Sequence, residues 1–327
     1  MKSKWILATL LAFVCISVDA QQNSKDVISD GKMIINVFGN FHSGFGSNNH
    51  DRGFELDRSY LGYQCNLPGN LELKAVMDVG QSKNVDDYHR IAYIKNAQLT
   101  WKTGNWKLSG GLISTTQFNM QEKFWGYRYI MKSFQDEYKF GSSADLGISA
   151  SYKFSDWLSA DAIVVNGEGY KKVQVNDGLN YGLGLTATLF DALVLRLYGS
   201  VNEANSDEMK DSYNLATFIG YADEIFSIGA EYNSYLNGGY VKNANQSGFS
   251  VYTSLKLSKG TSLYARADHL TSKDDWNEAK DGTMGMAGFE FKLGKYFNIA
   301  PNFRVWKPKA DGTSTDYAAF ISCRFGL

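Results

Sequence analysis

The sequence predicts an all-β chain: a 16-stranded antiparallel transmembrane β-barrel with a long third external loop folded into the lumen. Three observations carry that expectation. Segments of alternating apolar and polar residues follow one another from Met33 to the last residue. The links joining them alternate long and short without a break after the first strand. One stretch between Ser114 and Ser143, about 30 residues, abandons the alternation altogether.

The clearest strand is Leu71 to Val79, in which Leu71, Leu73, Ala75, Met77 and Val79 share one face while Glu72, Lys74 and Asp78 share the other. Successive side chains of a strand point to opposite faces, so this segment is apolar on one side and charged on the other. Leu193 to Val201 repeats the design, with Arg196, Tyr198 and Ser200 on the polar side. Sixteen such segments can be marked, beginning near Ile35, Phe54, Leu71, Ala92, Trp106, Leu146, Leu158, Tyr181, Leu193, Leu215, Phe226, Phe249, Leu263, Gly285, Ile299 and Tyr317. Most approach the 9–11 residues, roughly, that cross a bilayer at a tilt.

Short turns are expected at Pro68-Gly69-Asn70, Gly104-Asn105, Phe190-Asp191 and Gly294-Lys295, with long polar links between them, such as Gly80 to His89 and His269 to Asp281. Membrane barrels have short turns at one rim and long loops at the other, and an even strand count puts both termini on the short-turn side. Trp101, Trp106, Tyr152, Trp157, Tyr221 and Phe226 flank the short turns, as an aromatic girdle would. A soluble sandwich also alternates, but its Greek-key connections would break the long–short order. Charges on the polar face of nearly every strand suit a wall that meets lipid outside and water inside.

Residues 1–20 read as a signal peptide: Lys2 and Lys4, an apolar run from Trp5 to Val18, then Val18-Asp19-Ala20. Cys15 lies inside that run, but Val14 before it and the apolar residues after it argue against a lipidated cysteine. A short periplasmic segment (21–32) then leads to the barrel (33–327). Cys65 and Cys323 fall on strands 2 and 16, which are not neighbours, so no disulfide framework is expected. A formal charge of −1 argues against nucleic acid as a partner.

Several short motifs carry a family resemblance: Phe54-Glu-Leu-Asp-Arg-Ser-Tyr-Leu61, Phe124-Trp-Gly-Tyr-Arg-Tyr-Ile130, Asn166-Gly-Glu-Gly-Tyr170, Tyr264-Ala-Arg-Ala-Asp268 and Arg324-Phe-Gly-Leu327. Over most of its length the chain resembles a Bacteroidetes-type outer-membrane porin related to the phosphate-selective porin superfamily. The resemblance implies a passive channel in outer-membrane lipid, a homotrimer, and insertion by the barrel-assembly machinery. It also implies that the third external loop folds inward to constrict the pore. The last residue departs from the family's terminal Phe, although Phe325 and Leu327 keep the lipid-facing parity.

Strand parity assigns the lumen-facing wall, with Arg58, Glu72, Lys74, Asp78, Arg196, Glu231, Arg266, Asp268 and Arg304 among its charges. Lys and Arg outnumber Asp and Glu on that face, which predicts weak anion selectivity. In the stretch 114–143 the candidate constriction residues are Glu122, Lys123, Arg128, Lys132 and Asp136. Were this stretch a helix, Phe124, Tyr127, Met131, Phe134 and Tyr138 would form an apolar stripe. Arg128, Lys132 and Asp136 would form a charged one, although Gly126 weakens a helix there.

No catalytic residue, cofactor or metal is expected. The four histidines, His42, His50, His89 and His269, fall at strand ends or loops with no nucleophile at fixed spacing. The sequence thus points to passage of small solutes or ions. A substrate-specific porin, or a non-conducting barrel serving as surface adhesin or receptor, stands as the alternative.

Overall fold

The computed structural model describes residues 31–46, 49–81, 89–174 and 178–327, except for the side chain of Asp275. The expected signal peptide (1–20), and residues 21–30 of the segment after it, lie outside the described residues.

Sixteen antiparallel strands close into one barrel, each paired with its neighbours in sequence and β1 paired with β16. They are β1 (Gly31–Phe45), β2 (Arg52–Leu67), β3 (Leu71–Gln81), β4 (Arg90–Thr103), β5 (Trp106–Ser114), β6 (Ala144–Lys153), β7 (Leu158–Val165) and β8 (Asn180–Leu189). The second half comprises β9 (Leu193–Asn202), β10 (Ser212–Ala222), β11 (Phe226–Leu236), β12 (Gln246–Lys256), β13 (Thr261–Ser272), β14 (Gly282–Leu293), β15 (Phe297–Pro308) and β16 (Asp316–Gly326). Every strand expected from alternation is present, and most extend a few residues further at the long-loop end. Closure removes both sheet edges, so no row of unpaired backbone groups is left.

The burial pattern is that of a soluble protein turned inside out. On β9, Leu195 and Leu197 are exposed while Arg196 and Ser200 are buried. On β13 and β14, Leu263 and Phe289 are exposed while Arg266, Asp268 and Glu290 are buried. The girdle residues Trp101, Trp106, Trp157 and Tyr221 are likewise exposed beside the short turns. At one of these, Phe190 and Asp191 both take left-handed backbone (φ 54° and 55°), the central pair of a tight turn closed by the Ala192 N–H on the Leu189 carbonyl. Cys65 and Cys323 are unpaired.

Two β-bulges interrupt the parity. Phe38 pairs with Arg58 and Gly39 with Leu56, so Asp57 is an extra residue. Val76 pairs with Asn96 and Met77 with Ile94, so Lys95 is another. A bulge sets two residues against one and re-aims side chains on either side of it. Phe54 and Ile94 therefore point outward, while Glu55, Asp57 and Lys95 join the polar face, which simple alternation denies them.

Candidate pore interior

Residues 115–143, between β5 and β6, form two short helices, α1 (Asn119–Trp125) and α2 (Phe134–Glu137). The single amphipathic helix considered from sequence is not formed. Gly126 takes φ 71° at the end of α1, and its N–H bonds to the carbonyl of Glu122, which closes the helix. The ends of the segment lie together, with Thr115 N–H bonded to the Ser143 carbonyl at 3.2 Å.

The apolar residues singled out from sequence nevertheless pack against the polar-face side of the wall, in two clusters. Phe124 meets Phe218 of β10 edge-on at 5.0 Å, and Tyr127 lies 4.5 Å from Tyr264 of β13. Trp125, about 2% exposed, packs with Tyr252 and Tyr264, and Met131 flanks this cluster. Phe134 and Tyr138 form the second cluster with Phe140 and Leu270.

Three wall arginines tie the segment's main chain down. Arg196 donates to the Thr116 carbonyl (2.7 Å) while holding Asp161 through two contacts of 2.7 and 3.1 Å. Arg266 donates to the Lys132 carbonyl (2.5 Å) while forming a bidentate pair with Asp268 (2.8 and 2.7 Å). Arg304 donates to the Ile130 carbonyl (2.8 Å) and sits 3.7 Å over the Phe320 ring. Tyr129 adds a bond to Glu290 (2.9 Å), and Glu231 accepts from Gln135 and Asn233. Parity alone assigned Arg196, Glu231, Arg266 and Asp268 as lumen-facing wall. They lie on that face but are buried and bonded to the segment or to one another.

The segment's charged residues lie along its other edge. Arg128 bridges the helices, 3.0 Å from Asp136 and 3.5 Å from Glu122, and Lys132 stands 3.8 Å from Glu137. Across from them, β1–β6 and the segment enclose a cavity of about 500 Å³. Its ammonium groups are Lys32, Lys74, Lys95, Lys107 and Lys123, against the carboxylates Glu72 and Glu122. Lys95 also reaches Tyr60, with its ammonium 3.3 Å from the hydroxyl. A neighbouring cavity of similar size brings Arg58, Asp57 and Glu55 of the wall opposite Arg128 and Lys132. The site residues thus divide into a buried group beneath the segment and an accessible group facing it across open space. Lys95, Asp57 and Glu55 belong to the second group, and only the bulges reveal them.

The link after β7 also reaches over this space. Gly167 and Gly169, both at positive φ, turn their N–H groups onto the Asp145 carboxylate (2.8 and 3.1 Å). This clamp directs the Tyr170 hydroxyl to Asp78, which in turn pairs with Arg58 at 3.1 Å. The motif Asn166-Gly-Glu-Gly-Tyr170 has its physical reason here, since a side chain at Gly169 would strike Ser142.

The histidines show no catalytic arrangement among the described residues. His42 contacts Asn40 and Asp51, and His269 contacts Thr283. No group of three His, Cys, Asp or Glu among those residues could hold a metal ion.

No family model matches the chain, and no curated protein does. Solved structures do. OmpT, expressed in the outer membrane of Vibrio cholerae, is 17% identical, with 93% of this chain and 100% of that one covered at a TM-score of 0.63. OmpF of Salmonella typhi, in complex with daunomycin, is 12% identical, covering 91% and 97% at 0.67. The anion-selective porin from Comamonas acidovorans is 11% identical, covering 91% and 99% at 0.65. At such identities the likeness establishes architecture, and that architecture is a closed, sixteen-stranded, porin-like barrel.

Proposed function

We propose that the protein is an outer-membrane porin, a water-filled channel for passive diffusion of small hydrophilic solutes or ions. In this reading the segment 114–143 lies inside the lumen and narrows it. The observation that carries the reading is the reversed burial, apolar side chains outside and polar ones inside a closed sheet, which suits a wall between lipid and water. The contacts of Arg196, Arg266 and Arg304 with the segment's carbonyls support its inward placement, because all three lie on the polar face. Irregular backbone at membrane depth is tolerated only where protein or a water-filled cavity surrounds it.

The channel prefers anions. Five lysines against two carboxylates border the cavity beside the segment, and basic side chains in a pore favour anions. Likeness to a porin named as anion-selective points the same way. Reversal potential across a planar bilayer under a KCl gradient tests this: the sign is that of chloride permeation, and a potassium-selective channel overturns it. Assembly as a homotrimer, insertion by the barrel-assembly machinery, export by residues 1–20 and kinship with phosphate-selective porins belong to the same reading. Export rests on the basic start and apolar run of residues 1–20, and the others on the sequence resemblance.

A further inference from the structure

A third cavity, of about 500 Å³, opens at the long-loop end between β6–β12, the link after β13 and the stretch Thr115–Ser142. Its position lies across the segment from Lys74 and Lys95, and its chemistry differs. Asn180, Asn202 and Asn214 line it with carboxamide side chains. A carboxamide both donates and accepts, which suits a polyhydroxyl ligand.

Three ammonium groups converge on the same cavity from three separate links: Lys139, Lys172 and Lys280. The Lys280 ammonium beside Lys139 holds its pKa below the usual lysine range, as crowded like charges do. Two carboxylates also line the cavity, Glu168 and Asp145. Asp145 already accepts backbone N–H groups from Leu146, Gly167 and Gly169, and three cations still outnumber the two acids. Trp276 completes the set. Its indole N–H is bonded to the Asn245 carbonyl, while the ring remains 44% exposed where it lines the cavity.

We propose that this cavity is a binding subsite for an acidic saccharide of about two residues. Sugar hydroxyls match the carboxamides, a carboxylate answers the lysines, and the indole gives a flat apolar face for a pyranose ring. A simple anion such as sulfate leaves the asparagines unanswered, and a neutral sugar leaves the lysines unanswered. The inference deepens the porin reading by naming a substrate class, yet its test needs no conduction, so the two can fail separately.

The test is isothermal titration calorimetry on the full chain in detergent, with digalacturonate, cellobiose and sodium sulfate as probes. Digalacturonate binds the parent protein at one site per chain, more tightly than either other probe. The Lys139→Ala/Lys280→Ala variant changes two exposed side chains, so the fold is kept, and it binds digalacturonate at least about tenfold more weakly. Trp276→Ala weakens binding as well. Absence of binding, equal binding of cellobiose or sulfate, or an unchanged Kd in the double-lysine variant overturns the inference.

Discussion

Replacing Arg266 with methionine lowers the stability of the barrel by about 3–5 kcal/mol, the range for removing one partner of a buried ion pair. Arg266 and Asp268 are about 3% and 1% exposed, and their bidentate pairing satisfies both carboxylate oxygens. Without the guanidinium, Asp268 is left as a buried, uncompensated charge. The same guanidinium lies 5.1 Å from the Trp125 ring and donates to the Lys132 carbonyl, so its loss also loosens the segment between β5 and β6. The urea midpoint in detergent micelles falls accordingly. Arg266→Met/Asp268→Leu recovers much of the loss, because replacing a whole buried pair with apolar side chains is often neutral. A single variant as stable as the parent contradicts this description. A double variant no better than the single one shifts the weight to the Trp125 and Lys132 contacts.

Lys95→Glu/Lys123→Glu converts the channel from anion to cation preference. Around the cavity beside the segment the charge surplus goes from three positive to one negative. A unit charge about 10 Å from an ion in water is worth ~0.4 kcal/mol, and one Debye length of salt cuts that to ~0.15 kcal/mol. Four units of charge then change the local concentration of each ion about threefold, and the anion-to-cation ratio about tenfold. The reversal potential under a KCl gradient changes sign. An unchanged value places Lys95 and Lys123 away from the ion path.

The strands were legible in the sequence because period-two alternation is a local property and the apolar outer face of the barrel enforces it. Leu71 to Val79 and Leu193 to Val201 show it plainly, and the predicted pairing order follows from the alternation of long and short links. The bulges at Asp57 and Lys95 were not legible, since a bulge exists only between two strands and leaves no mark within one. Parity therefore misplaced Glu55, Asp57 and Lys95, three of the charges nearest the segment. In the segment itself composition identified the packing residues, from Phe124 to Tyr138. The helix break at Gly126 was signalled only by the residue's low helix propensity. That Arg196 and Arg266 are buried beneath the segment, while Lys74 and Lys95 face it across a cavity, depends on the way the segment leans. The lean is set by contacts between residues over a hundred positions apart, such as Arg266 with Lys132 and Tyr252 with Gln121. The meeting of Lys139, Lys172 and Lys280 is equally a product of closure, not of spacing.

Single-channel conductance, parent against a variant lacking the segment, tests whether the segment constricts a channel. Thr115 and Ser143 are hydrogen-bonded neighbours, so residues 116–142 can be replaced by an Asn-Gly turn without disturbing the register of β5 and β6. The parent opens in discrete steps, and the shortened protein conducts severalfold more per step. Equal step sizes would contradict a constriction formed by this segment. A parent protein and shortened variant that both conduct nothing would contradict the channel itself and favour a surface receptor or adhesin.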